Sequence, residues 1–271
     1  CFPMSVFALP MFYRKKDSTP LDIRMWMLCL FWVVLILFSI TTTKIIHYSS
    51  MTYVPLSFLA ALSIYRMIKG EIELKKYLPI TFLIMGSLMS LVMIVIPILL
   101  SQKEWLMGIM TDEFAAASLS VSIPWTLWDI LGGVVFLSFL IAAFIHFRKK
   151  KFERALLLSA AGTGITLLIV LYMILPKVDS MTQGPAIAFY EEVSKEDCYV
   201  ETHFKSYAHY FYADLDPKAR PESKEINWLV RGDIDKTVYI VTKIGNLYFE
   251  KNPEFIRLKV EGGFRFYRRD P

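Results

Sequence analysis

The sequence predicts a multi-pass α-helical membrane bundle followed by a small α/β extracytoplasmic domain. Three observations lead there: apolar blocks of span length, basic clusters that alternate between their ends, and a tail of ordinary charged composition. The chain has 271 residues, 55% of them hydrophobic and 20% charged, and its mean hydropathy is +0.44. That is more apolar surface than a soluble domain of this size hides. Residues 1–176 hold 15 Lys or Arg against 9 Asp or Glu, and residues 177–271 hold 15 against 16. The formal charge of +5 therefore belongs to the apolar part. Its basic residues sit in short clusters between greasy segments and form no stripe on a soluble face, which argues against a nucleic-acid-binding reading.

The apolar blocks run from Phe2 to Tyr13, Met25 to Thr43, Met51 to Tyr65, Tyr77 to Leu100, Ile123 to Phe147 and Ala155 to Leu175. Most approach the roughly 20 residues that a helix needs to cross a hydrocarbon core, and only a helix satisfies its own backbone there. The block from Met51 is short and reaches full length when Tyr48 and Arg66 lie at its interfaces, the Arg by snorkelling. The first block opens at Cys1 with no basic n-region or cleavage pattern, so it reads as the tail of a span whose beginning lies upstream. Five full spans and part of a sixth are expected within residues 1–176.

Orientation follows from charge. Arg14, Lys15, Lys16 and Arg24, then Arg66, Lys69, Lys75 and Lys76, then Arg148 to Lys151 and Arg154 account for 13 of the 15 basic residues of this part. The intervening segments carry Lys44 and Lys103 alone. By the positive-inside rule the three basic segments face the cytoplasm, and the Lys44 turn, the loop from Ser101 to Val121 and everything after Leu175 face outward. Arg24 reads as a cytoplasmic flank. Trp105, Trp125 and Trp128 fall at the outer belt and Trp26 and Phe147 at the inner, where anchoring is their ordinary role. Trp105 to Met110 forms a short amphipathic stretch suited to the interface.

Residues 177–271 read as a small α/β unit. Asp197 to Thr202 and Thr237 to Thr242 alternate as strands, the second more convincingly; Lys205 to Tyr212 reads as a short helix rich in Tyr and Phe; Asn227 to Val230 is a weaker strand candidate. Phe255 to Val260 and Phe264 to Arg268 flank Gly262-Gly263, which fits a hairpin turn far better than a nucleotide cradle. The cysteines Cys1, Cys29 and Cys198 give no paired framework, since Cys29 lies inside a span.

Lys44, His47 and Tyr48 form the dense cluster of ionisable groups at an outer membrane face. A compact, mobile ammonium there can meet a lipid phosphate while Ile45 and Ile46 contact its chains, and His47 and Tyr48 can add hydrogen bonds. From its spacing alone the same turn also reads as a snorkelling Lys beside an anchoring aromatic. Asp129 is an intramembrane carboxylate expected to pair with Lys44 or His47 across the bundle, unless its helix begins near Trp128 and leaves it at the interface. No nucleophile with its base, carboxylate dyad or metal cluster can be assembled from these residues.

The segment Thr43-Lys44-Ile45-Ile46-His47-Tyr48-Ser49-Ser50-Met51-Thr52-Tyr53-Val54-Pro55 resembles the "K-x-x-H/Y-Y … Y-x-P" stretch of polytopic lipid-linked sugar transferases. The span ending Leu37-Phe38-Ser39-Ile40 before it, Phe2-Pro3 at the start, and the strand and Tyr-rich helix of Asp197 to Tyr212 fit the same group. It is similar to the aminoarabinose-transferase type and its bacterial relatives in the protein-mannosyltransferase-like, or GT-C, superfamily, and would correspond to the C-terminal half of such an enzyme. The resemblance implies a GT-C fold in the bacterial cytoplasmic (inner) membrane. It also implies a polyprenyl-phosphate sugar donor and transfer to a lipid or protein acceptor on the outer face, with Lys44, His47 and Tyr48 lining the donor-phosphate site. The family's catalytic acidic residue lies in a first outer loop, expected upstream of Cys1, so no catalytic residue is assigned here. The implied whole enzyme leaves room for a divalent cation, and Asp129 has no family counterpart. Two other readings stay open: a transporter or flippase for lipid-linked sugars, whose broken helices and repeats are not evident here, and a non-enzymatic membrane protein with an outer sensory or assembly domain.

Overall fold

The computed structural model describes residues 2–13, 22–40, 50–215 and 221–271. Among them are 5 helices long and apolar enough to cross a membrane: Ile23–Ile40, Ser50–Ile68, Tyr77–Ser101, Leu127–Arg148 and Phe152–Thr182. A shorter apolar helix, Pro3–Tyr13, stands where the tail of a further span is expected. The block from Met51, short in the sequence, forms a helix of 19 residues from Ser50 to Ile68. Large apolar side chains such as Trp32, Ile36, Ile84, Leu88 and Leu168 remain exposed along these helices. Lipid, unlike water, carries no penalty for them, and the chain is a multipass membrane protein. A four-stranded sheet follows the spans.

Packing divides the chain into two compact units, one of Cys1–Val95 with Ile130–Ile169 and the other of Ile96–Asp129 with Val170–Pro271. The first is a helix bundle around an aromatic cluster. Phe7 and Phe147 lie 4.6 Å apart by ring centroid, and Phe82 meets Phe147 edge-on at 5.5 Å. Close approach is made by small residues, as lipid-solvated helices require. A Cβ on Gly162 would stand 2.4 Å from Cβ of Phe139. Ser90 Oγ donates a 2.8 Å hydrogen bond to the Gly133 carbonyl. Arg24, expected as a cytoplasmic flank, instead turns inward: it is 2% exposed, donates to the Met11 carbonyl at 2.9 Å and pairs with Asp22 at 3.3 Å. Hydropathy marks it as the polar end of an apolar run but carries no information on which way the side chain points.

In the second unit, the Ser101 to Val121 segment contains two short helices, Lys103–Ile109 and Glu113–Leu119. Asp112 caps the latter, accepting from the Phe114 and Ala115 amides at 2.8 and 3.0 Å. The last apolar helix passes through a π-helical turn at Val170–Ile174 into Leu175–Thr182, breaks at Gln183, and resumes as Gly184–Val193 with Pro185 in its first turn.

The sheet comprises β1 (Tyr199–Thr202), β2 (Val238–Lys243), β3 (Ile256–Glu261) and β4 (Phe264–Arg269) in the order β1-β2-β4-β3. β1 and β2 are parallel, which requires a crossover connection; the remaining pairs are antiparallel. That crossover contains the helices Ala208–Tyr212 and Ile226–Arg231. Asn227 to Val230 is therefore helix and not strand, because Ile226, Leu229 and Val230 recur at helical spacing and pack with Val238, Ile240 and Phe249. The other face of the sheet, with Tyr239, Val241 and Phe266, receives Ala186, Phe189, Tyr190 and Val193 from one stripe of the Gly184–Val193 helix. β2 is covered on both sides, which explains its unbroken apolar run. The hairpin turn between β3 and β4 has Gly262 at φ +55° and Gly263 at φ +85°. Both lie in the left-handed region that glycine adopts without cost.

Candidate functional site

Lys44, His47 and Tyr48 lie outside the described residues, so the polar sites seen in the structure are others. Asp129 belongs to a 3₁₀ turn, Leu127–Ile130, at the entry to the Leu131–Arg148 helix. Thr126-Leu127-Trp128-Asp129 has the spacing of a capping box, in which an acidic side chain reaches back to the backbone amide three residues earlier. Asp129 Oδ2 does so, accepting from the Thr126 amide at 2.6 Å and from its hydroxyl at 3.2 Å.

The same carboxylate is bridged by Lys177, whose Nζ stands 2.8 Å from Oδ1 and 2.7 Å from Oδ2. Lys177 also donates to the Pro124 carbonyl at 2.8 Å and lies 5.3 Å from the centre of the Trp125 ring. The Asp129 side chain is 0% exposed and that of Lys177 23%. A buried carboxylate surrounded by an ammonium, an amide and a hydroxyl has its charge balanced and its lone pairs occupied, so it serves as a strut that ties residues 124–129 to the Leu175–Thr182 helix and not as a free base. Lys44 or His47 is the partner expected from the sequence; among the described residues the partner is Lys177. The capping-box spacing was a usable signal for Asp129, whereas nothing local to Lys177 distinguishes it from the other charges of the tail.

A second polar cluster lies under the sheet face that receives the Gly184–Val193 helix. His209 is 1% exposed, with Nε2 3.4 Å from Glu201 Oε1. Burial lowers the His209 pKa to about 4, so its imidazole is neutral at pH 7. Burial also raises the Glu201 carboxyl, and burial together with Glu201 raises the Tyr190 phenol. On the same domain, burial and then the charges of Glu196 and Asp197 push the Cys198 thiol up to about 11, which leaves it protonated and unreactive. Among the described residues, no group of three or more His, Cys, Asp and Glu side chains is arranged to hold a metal ion.

No protein-family model matches the chain, and no curated protein matches it. Its fold is similar to that in the crystal structure of ArnT from Cupriavidus metallidurans bound to undecaprenyl phosphate, with a TM-score of 0.61 at 11% identity. The likeness covers 98% of this chain and 49% of that one, so the chain spans about half the length of the structure it resembles. At this identity the likeness establishes the fold alone: a helical membrane bundle followed by a small α/β unit.

Proposed function

We propose, taking that shared fold as premise, that the chain is part of a membrane glycosyltransferase. In this reading it moves a sugar from a polyprenyl-phosphate donor to a lipid or protein acceptor on the outer face of the cytoplasmic membrane. The observation that carries the reading is the likeness along 98% of the chain to a protein whose structure holds undecaprenyl phosphate. The Lys44 motif supports it independently, because the resemblance was drawn from residues and the likeness from backbone.

The chemistry asked of this chain is electrostatic. As the bond between the anomeric carbon and the donor phosphate breaks, negative charge grows on the departing polyprenyl phosphate, and an ammonium held at that oxygen stabilises the transition state. Lys44 would supply it, with hydrogen bonds from His47 and Tyr48, while Ile45 and Ile46 contact the prenyl chain. The acceptor's activation by a carboxylate is left to residues outside this chain.

The test is binding of undecaprenyl phosphate to the purified chain in nanodiscs, read by native mass spectrometry with undecaprenol as control. A charge-assisted contact is worth about 1.5–3 kcal/mol, so Lys44→Ala is expected to weaken binding by roughly 10- to 100-fold. Equal retention of the phosphorylated and unphosphorylated lipid, with no effect of Lys44→Ala, overturns the reading.

A further inference from the structure

Within the second unit, the start of the Gly184–Val193 helix opens onto a cavity of about 250 Å³. Lys205 and Lys243 line it together with Phe114, Phe204, Phe264 and Tyr190. Neither Asp nor Glu is among its lining residues, although acidic residues slightly outnumber basic ones across residues 177–271. Two positive charges face one concavity with no negative one opposite.

Two further features converge there. First, Gln183 and Ala186, at the N-terminal turn of the ten-residue helix, form part of the wall, and the Gln183 side chain makes no capping hydrogen bond. The backbone donors at a helix start and the positive end of its dipole favour an anion at this place. Second, Lys243 Nζ is held 4.6 Å from the centre of the Phe114 ring and 5.9 Å from that of Phe204, and it makes no ion pair with a carboxylate among the described residues.

We propose that this cavity binds a phosphoryl group carried on a single ring, such as a phosphorylated sugar. Two ammonium groups match the double charge of a phosphate monoester better than the single charge of a carboxylate, and compact ammonium charges suit phosphate oxygens. The aromatic wall, in which Phe114 meets Phe264 edge-on at 5.3 Å, offers apolar surface to the ring. The volume lies just below the range of about 300–1,000 Å³ typical of drug-sized ligands, which fits one ring and its phosphate and excludes a longer oligosaccharide. The site stands on Lys205 and Lys243, neither of which takes part in the donor-phosphate contact at Lys44.

The ligand group could belong to a soluble sugar phosphate or to a lipid headgroup, and the experiment separates the two. The full chain is placed in phosphatidylcholine nanodiscs and titrated with glucose 6-phosphate against glucose. In a second arm, nanodiscs containing phosphatidylinositol 4-phosphate are compared with ones containing phosphatidylinositol. In one arm or the other, the phosphorylated ring is expected to bind at least tenfold more tightly and to slow hydrogen exchange at the Ala186 amide. Lys205→Met with Lys243→Met abolishes at least tenfold of that affinity, and Lys44→Ala leaves it unchanged. Both lysines are exposed, so the double variant keeps its fold, checked by unchanged circular dichroism. A response in the first arm assigns a soluble ligand and in the second a headgroup. Absence of phosphate discrimination in both arms, or full affinity in the double lysine variant, overturns the proposal.

Discussion

Lys177 and Asp129 are 48 positions apart in the chain and meet at 2.7 Å, so each depends on the fold for its only way of being buried at low cost. Removing one partner leaves the other charge without compensation. Lys177→Met is expected to destabilise the protein by about 3–5 kcal/mol, whereas Lys177→Met combined with Asp129→Asn recovers most of the loss. A thermal melt of the two variants beside the unaltered protein in detergent checks this, and equal destabilisation by the single and double variants would show that the pair is not coupled. His209 gives a pH signature of opposite origin, since burial and not a partner dominates it. Its folded pKa of about 4 lies below the ordinary 6.5, so as pH falls the unfolded chain takes up a proton before the folded one does. Stability contributed by the neutral imidazole is complete above pH 6.5 and is lost as pH falls toward 4. Glu201, raised by burial, acts in the other direction and reduces the net effect. Hydrogen exchange of the β1 amides should accelerate across that window, and His209→Gln should flatten the dependence.

Among the elements, the β3–β4 hairpin shows how a local sequence signal acquires a tertiary use. Gly262-Gly263 is legible as a turn because two glycines tolerate the left-handed backbone that a tight connection needs. Its tip also packs: a Cβ at Gly262 would stand 2.4 Å from Pro185 Cγ, and one at Gly263 2.8 Å from Phe114 Cδ2. Gly262→Ala therefore combines a left-handed penalty of about 1–2 kcal/mol with an overpacking cost of about 1–3 kcal/mol. The expected readout is a lowered melting temperature of the sheet, with no change in the helical signal of the spans; an unaltered melt would mean the turn relaxes freely. Edge strand β3 keeps Ile256, Leu258 and Val260 exposed but alternates them with Arg257, Lys259 and Glu261, charges that discourage pairing with another chain.

At the scale of the whole molecule, orientation remains the proposal on which the outer-face transfer rests. The basic segments around Arg66 to Lys76 and Arg148 to Arg154 are assigned to the cytoplasm, and residues after Leu175 to the outside. Single cysteines introduced at Lys150 and at Asn252 should respond oppositely to an impermeant maleimide applied to intact cells, with Asn252 labelled and Lys150 protected. Labelling of both positions, or of Lys150 alone, would reverse the topology and with it the outward donor-phosphate site.

Five spans, four strands and the hairpin were legible because each is written in a local period: a run of about 20 apolar residues, alternation by two, or a pair of glycines. The resemblance at the Lys44 turn was likewise a contiguous motif. Non-local choices were not legible. Ile226–Arg231 became a helix because a parallel β1–β2 pair needs a crossover to cover one face of the sheet, although the three consecutive apolar residues Trp228, Leu229 and Val230 suit either conformation. Arg24 turned into the bundle, and Asp129 took Lys177 as its partner, because the free energy of a buried charge depends on which groups surround it in space. Sequence alone determined where the chain enters and leaves an apolar phase, since that depends on each segment's own composition; only the tertiary structure decided which charges meet, since that depends on segments far apart in the chain.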